Sequence, residues 1–436
     1  MVADEGHLHP SADRISASMA DFKFLHAADL HLDSPLLGLA SKSPAYAARI
    51  ESASREAFDN LIALAIEEDC RFLLLAGDIF DGNLRHMPTG LFFLNRMRRL
   101  QEADVQVFLV AGNHDAENEF ASKLTLSENV HLFDRRRAET RHLNDIGVAI
   151  HGQSFRERAV TDNIARDYPP RSDGHFNIGV LHTACAGSEG EHAVYAPCTL
   201  EQLVNHGYDY WALGHVHARA VLNEHPHVVY PGNLQGRHPR ETGPKGATLV
   251  TVTDGRVEGL DHRDLDVIRW ANETVDIGDI TGRQAILEAI RGVLETECRR
   301  ADGRPLAIRL KLVGPSPDHA SILLDRGGLC DDVEALCATL PCDTWLEKLS
   351  VATRPVVVAD PLDPTIAGRL GQEIRQLGEG PALAAALEDA MKEIRTKMPA
   401  SAGIDDLLAR LRVEGPARAV ELALAMVDLP DAPVAS

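Results

Sequence analysis

No run of apolar residues in this chain approaches the ~18–20 that a membrane span needs, and no Cys-x-x-Cys pair occurs among its seven cysteines. The first absence leaves no membrane segment to expect. The second, with the odd count, argues for reduced thiols in a cytoplasmic protein rather than a disulfide framework. Residues 1–20, MVADEGHLHPSADRISASMA, lack the basic-then-apolar layout of a signal peptide. They read as a disordered tail, with Met19 as an alternative start. Positive charge is also scarce: 44 Lys and Arg against 65 Asp and Glu leave a formal net charge of -21. Nucleic acid held by counterion release favours a basic protein, so such a role here needs local basic patches and metal ions. No sustained heptad array occurs, so a coiled-coil rod is not expected. What is present is 436 residues of ordinary hydrophobic content, enough for two or three domains.

The polar residues that carry chemistry stand after apolar runs. Gln106–Ala111 reads as a buried parallel strand and ends in Gly112-Asn113-His114-Asp115. Phe22–Ala28 leads into Asp29-Leu30-His31, whose period-2 spacing puts both side chains on one side. Arg71–Ala76 ends in Gly77-Asp78-Ile79-Phe80-Asp81, where the glycine permits close backbone approach. Helices over Ala45–Glu68 and Thr89–Glu102 separate these strands. Strand, helix and strand in alternation imply a parallel sheet with right-handed crossovers and a composite site along one edge.

Further strands are expected near Gly147–His151, at Phe176–Leu181 before His182, and at Tyr208–Leu213 before Gly214-His215-Val216-His217. Two histidines at i and i+2 are a metal-ligand spacing, whereas His182, taken alone, reads as a packed structural residue. His225 and His227 flank Pro226 in a hairpin and read as surface residues. Ala247–Val252 with Thr253–Gly255 looks like a closing strand and turn, and Glu117–Leu126 looks helical. From about Asp266 the pattern changes to a small α+β unit, with a helix at Gly282–Glu297, a strand at Leu306–Val313 and a helix at Asp331–Leu340. Ala- and Leu-rich helices follow near Pro364–Gln376, Pro381–Thr396, Ile404–Val413 and Pro416–Met426. Their amphipathic surface suits either a partner or the rest of the chain. Arg135, Arg136 and Arg137, and then Arg237 and Arg240, form two short basic clusters that suit either solvent or DNA phosphates.

Taken in order, Asp-x-His, Gly-Asp-x-x-Asp, Gly-Asn-His-Asp, a lone His and Gly-His-x-His resemble the calcineurin-like metallophosphoesterase superfamily. FLHAADLHLDSPL, the YPGN turn at 230–233 and the appended unit look most like SbcD-type DNA repair nucleases of the YhaO-like branch. The resemblance implies a layered α/β sandwich over 21–265, a DNA-gripping α+β cap over 266–354, and a helical C-terminal region over 355–436. That last region would dock an SMC-like ATPase of the SbcC or YhaN type. It implies two divalent cations, manganese by ligand chemistry. Asp29, His31 and His217 would hold one, Asn113, His182 and His215 the other, and Asp78 would bridge. His114 would be catalytic, oriented by Asp115, in the hydrolysis of DNA phosphodiesters; a homodimer is also compatible. The pattern departs from many such nucleases at Asp81, where they carry a histidine, with His86 nearby as a substitute. A phosphatase of small substrates would use the same metal site and suits the acidic charge better. A non-catalytic scaffold is the third reading, disfavoured by the complete ligand set.

Overall fold

A computed structural model describes residues 20–34, 44–81, 87–116, 125–186, 195–356, 366–398 and 404–428. The expected N-terminal tail, His86 and nearly all of the helix anticipated at Glu117–Leu126 lie outside these residues. The chain divides into two compact units, Met1–Ile268 and Arg269–Ser436.

The first unit is built on two six-stranded sheets. One runs β14 (Arg256–Asp264), β13 (Gly246–Thr253), β1 (Phe22–Ala27), β2 (Phe72–Ala76), β3 (Gln106–Val110) and β4 (Val130–Leu132). The other runs β11 (Ala220–Glu224), β12 (His227–Tyr230), β10 (Tyr210–Gly214), β7 (Phe176–His182), β6 (Val148–Gly152) and β5 (Glu139–Leu143). A two-residue pair, β8 (Cys185–Ala186) with β9 (Cys198–Thr199), completes the unit. β1 to β4 are mutually parallel, as are β6, β7, β10 and β12; antiparallel strands close both margins of the second sheet and the β13–β14 side of the first.

Period-2 alternation decides what each face buries. Phe22, Phe24, Phe72, Leu74, Phe108 and Val110 meet Phe176, Ile178, Val180, Tyr210 and Ala212 in the layer between the sheets. The intervening Leu25, Leu73, Leu75 and Leu109 point outward, beneath helices α1 (Pro44–Glu67) and α2 (Met87–Glu102). Trp211, Leu213 and Tyr230 do the same on the far side, with Leu203 of α4 (Leu200–Asn205). A four-residue helix, α3 (Asn113–Ala116), begins at the second residue of the polar tetrad. His26 lies fully buried between the sheets. Its Nε2 is 3.1 Å from the Leu213 carbonyl oxygen, which can only accept, so Nδ1 accepts from the Tyr210 hydroxyl at 3.0 Å. β14 extends the closing strand expected at Ala247–Val252 into a hairpin. His225 and His227 flank the turn of the β11–β12 hairpin.

The second unit is a parallel sheet in the order β15 (Arg269–Asp276), β16 (Leu306–Pro315) and β17 (Thr344–Arg354). Helices α5 (Arg283–Arg300), α6 (His319–Leu324) and α7 (Arg326–Cys337) stand between the strands in sequence. Strand and helix therefore alternate here, more regularly than the expected α+β grammar. Leu306, Ile308, Leu310 and Leu312 of β16 face Ile290, Leu294, Leu329 and Val333 of the helices. Helices α8 (Ile366–Glu379), α9 (Pro381–Lys397) and α10 (Asp405–Asp428) follow. Two helices were expected where α10 runs unbroken through Pro416. Proline lacks one donor but keeps a helical φ, and the flanking residues continue the helix. The cysteine expectation is corrected as well: Cys298 of α5 and Cys342 before β17 form a disulfide across a sequence separation of 44.

Candidate metal centre

Parallel strands end together, so residues just past β1, β2, β3, β7 and β10 gather at the C-terminal rim of the sandwich. The loops after β1 and β2 extend the sheet ladder. Asp29 N–H donates to the Gly77 carbonyl, His31 N–H to that of Asp78, and Leu32 N–H to that of Ile79, each at 3.0 Å. Asp29, His31, Asp78 and His215 all take positive φ, at 52°, 42°, 52° and 101°. Such backbone is sparsely populated and is held where the surroundings enforce it. Gly77 shows how tightly: at φ +92°, a Cβ there would lie 2.4 Å from Nδ1 of His182.

Three overlapping groups of ligand atoms each fall within 4.8 Å of one another: Asp29, His31 and His217; Asp29, Asp78 and His182; and His31, Asp78 and His114. Asp78 Oδ2 lies 3.5 Å from His182 Nε2 and 3.9 Å from His31 Nε2. Asn113 Oδ1 is 3.0 Å from His182 Nε2. The His215 ring stands across that of His182, centroids 5.2 Å apart, while its backbone N–H donates to Asp29. All seven expected ligand residues are thus in one buried cluster; only His217 and His114 of those named here are more than marginally exposed.

The electrostatics of the cluster suit a cation. His182 Nδ1 donates to the Ala76 carbonyl at 2.9 Å, so Nε2 presents its lone pair to Asn113 Oδ1 and Asp78 Oδ2, acceptor facing acceptors. His31 Nδ1 is buried without a hydrogen-bond partner. Burial, followed by the charge of Asp78, pushes the Asp29 carboxyl well above the ordinary range, and burial pushes Asp78 up to about 6. Burial likewise holds His31 well below a free imidazole. Two crowded carboxylates and lone-pair imidazoles are what a divalent ion between them relieves. Oxygen and imidazole donors without thiolate fit a hard or borderline metal.

The expected role of Asp115 is contradicted. Its buried carboxylate accepts the backbone N–H groups of Ile79, Phe80 and Gly112 at 3.0–3.1 Å, tying the loops after β2 and β3 together. His114 instead meets Asp81, Nδ1 to Oδ1 at 3.0 Å, and this contact raises its pKa. Burial works against ionisation of Asp81, but hydrogen bonds from His114 and Ser34, with the His31 ring 3.6 Å away, outweigh it and keep the carboxylate charged.

Arg237 sits inside this surround, 3.8 Å from Asp81 and 3.6 Å from Glu241, while Arg240 is exposed. Arg135, Arg136 and Arg137 occupy the turn between β4 and β5, outside the cluster; the latter two cap Asp134 through their backbone N–H groups. Sequence reading passed over Glu241 altogether. Its carboxylate meets His217 Nδ1 at 2.6 Å from 24 residues away. The only local signal was its place shortly after the YPGN turn, whose Asn233 donates to it at 2.9 Å.

The calcineurin-like phosphoesterase family profile matches residues 22–219, and that of the metallophosphoesterase YhaO middle domain matches 270–354. The uncharacterized metallophosphoesterase YhaO of Bacillus subtilis is 38% identical over 322 residues, which cover 73% of this chain and 78% of that protein. The DNA double-strand break repair protein Mre11 of Methanopyrus kandleri is 26% identical, covering 70% of this chain and 68% of that protein. The Mre11 of Haloferax volcanii is also 26% identical, over 54% and 52% respectively. With the two profiles lying on either side of the boundary between the units, and more than a third of the aligned residues shared with the Bacillus protein, the chain belongs to the calcineurin-like metallophosphoesterases, within the YhaO-like family.

Proposed function

We propose that the protein is a manganese-dependent DNA nuclease of the cytoplasm, the phosphodiester-cleaving subunit of a repair complex with an SMC-like ATPase. The observation that carries this is the overlap of the three ligand groups around Asp29, His31 and Asp78. Asp29, His31 and His217 would hold one cation and Asn113, His182 and His215 a second, with Asp78 between them. Bound there, such ions supply positive charge to phosphoryl oxygens and acidify a water into a nucleophile.

The chain's own groups complete the chemistry. His114, whose side chain is 31% exposed, is the most open of the titratable groups in the cluster. Nδ1–H donates a hydrogen bond to Asp81, and the pKa that this contact raises favours a second proton on Nε2, which would face a substrate oxygen. His114 then protonates the leaving oxygen or stabilises the developing charge, and Asp81 keeps its orientation. This makes Asp81 useful in the place where many related nucleases carry histidine. Resemblance to the archaeal Mre11 proteins favours DNA as the polymer. The unit from Arg269 would act as the DNA-gripping cap. Exposed Leu370, Leu377, Val413 and Met426 on α8 and α10 would offer apolar surface to the ATPase.

A phosphatase of small substrates remains the second reading, favoured by the net charge of -21. Incubation with manganese and linear DNA, bis-p-nitrophenyl phosphate or a nucleotide panel separates the two. Cleaved DNA is expected. Intact DNA beside rapid turnover of a small monoester would reject the nuclease.

A further inference from the structure

We propose that Glu241 is a positioning residue for the metal centre: it fixes the tautomer of His217 and presents that ring's Nε2 to the cation beside Asp29 and His31. The inference rests on the metal-site reading above and deepens it.

Three N–H donors converge on this one buried side chain. His217 Nδ1 is 2.6 Å from Oε1, while Asn233 Nδ2 and the backbone N–H of Arg237 reach Oε2 at 2.9 and 2.7 Å. A group that receives two such bonds on one oxygen and a third on the other is an ionised acceptor. Its short contact with His217 therefore requires the proton on Nδ1. Arg237 Nη2 also approaches that nitrogen, at 3.4 Å, but the carboxylate is nearer by most of an ångström and takes the proton's bond. Nε2 is left with its lone pair, 3.9 Å from Asp29 Oδ1 and 3.3 Å from His31 Nε2, in the middle of the first ligand group.

The segment bearing Glu241 is fixed to His217 at the main chain as well. Asn233 N–H and the Lys245 ammonium both donate to the His217 carbonyl oxygen, at 3.2 Å each. Ring and backbone of one ligand are thus clamped from a single stretch, Asn233 to Lys245. A carboxylate behind a ligating imidazole raises its basicity and fixes its aim, and losing such a partner costs roughly 10–100-fold in metal affinity.

Glu241→Gln keeps the shape but gives the Asn233 and Arg237 donors an amide in place of a carboxylate. Manganese titration of the metal-stripped full-length protein, read by the electron paramagnetic resonance of free Mn2+, tests the proposal without DNA. The wild type is expected to take two ions. Glu241→Gln should bind one of them about 10–100-fold more weakly, as His217→Ala does more severely, and excess manganese should restore its phosphodiesterase rate. Asn233→Ala, which leaves the carboxylate in place, should show a smaller loss. Equal affinity in wild type and Glu241→Gln would overturn the role, as would a rate defect that manganese does not rescue in a folded variant. If the wild type binds no manganese, the metal-site reading fails first and the inference falls with it. If it binds two but leaves DNA intact, only the choice of substrate fails.

Discussion

Neighbouring residues at the rim do opposite work. Asp78 sits between His31 and His182, and its main-chain surroundings aim it inward; His114 reaches outward to Asp81. Asp78→Ala is therefore expected to abolish hydrolysis and weaken both cations in a manganese titration. His114→Ala should leave that titration nearly unchanged while turnover drops roughly 10²–10⁴-fold, the usual contribution of general acid–base catalysis. Equal metal loss in both variants would reverse the assignment. Asp115 illustrates why adjacency in sequence misleads at this scale. Within a helical turn, successive side chains diverge by about 100°, so Asp115 turns back to the loops that precede it while His114 faces the mouth. A charged residue three positions past an aspartate, Asp81, was the partner that mattered.

Among the elements, strands announced themselves where both faces are buried and stayed hidden where one is wet. Phe72–Ala76 and Phe176–His182 are buried on both sides and were legible, along with the polar residues at their ends. β14 and β15 alternate buried or half-buried residues with exposed Glu258, Asp261, Asn272 and Thr274, a weak pattern that tertiary pairing turns into strands. The pairing of Cys298 with Cys342 was equally invisible, because no short spacing encodes a contact between α5 and the turn that leads into β17, with β16, α6 and α7 between them in sequence. That link has a measurable weight. By loop closure over its span, replacing both cysteines with serine should lower the unfolding free energy by about 2–4 kcal/mol. Chemical denaturation of the variant would show this as an earlier transition, and an unchanged midpoint would remove the disulfide from any stabilising role.

At the scale of the whole first unit, His26 fastens one sheet to the other. Burial pushes its pKa down to about 3, against about 6.5 in an unfolded chain. The folded state therefore refuses a proton that the unfolded state accepts, and stability present above pH 6.5 is lost as pH falls toward 3. Between pH 7 and pH 5 this one group should remove about 2 kcal/mol. Urea unfolding of His26→Gln should show a correspondingly shallower decline over that interval, and an identical decline would mean the imidazole is not what resists protonation. The ladder bonds of Asp29, His31 and Leu32 to Gly77, Asp78 and Ile79 carry a different consequence. Because these loops are spliced into the sheet, any slip of β1 against β2 would carry Asp29, His31 and Asp78 out of step, so strand register itself sets the spacing at the rim.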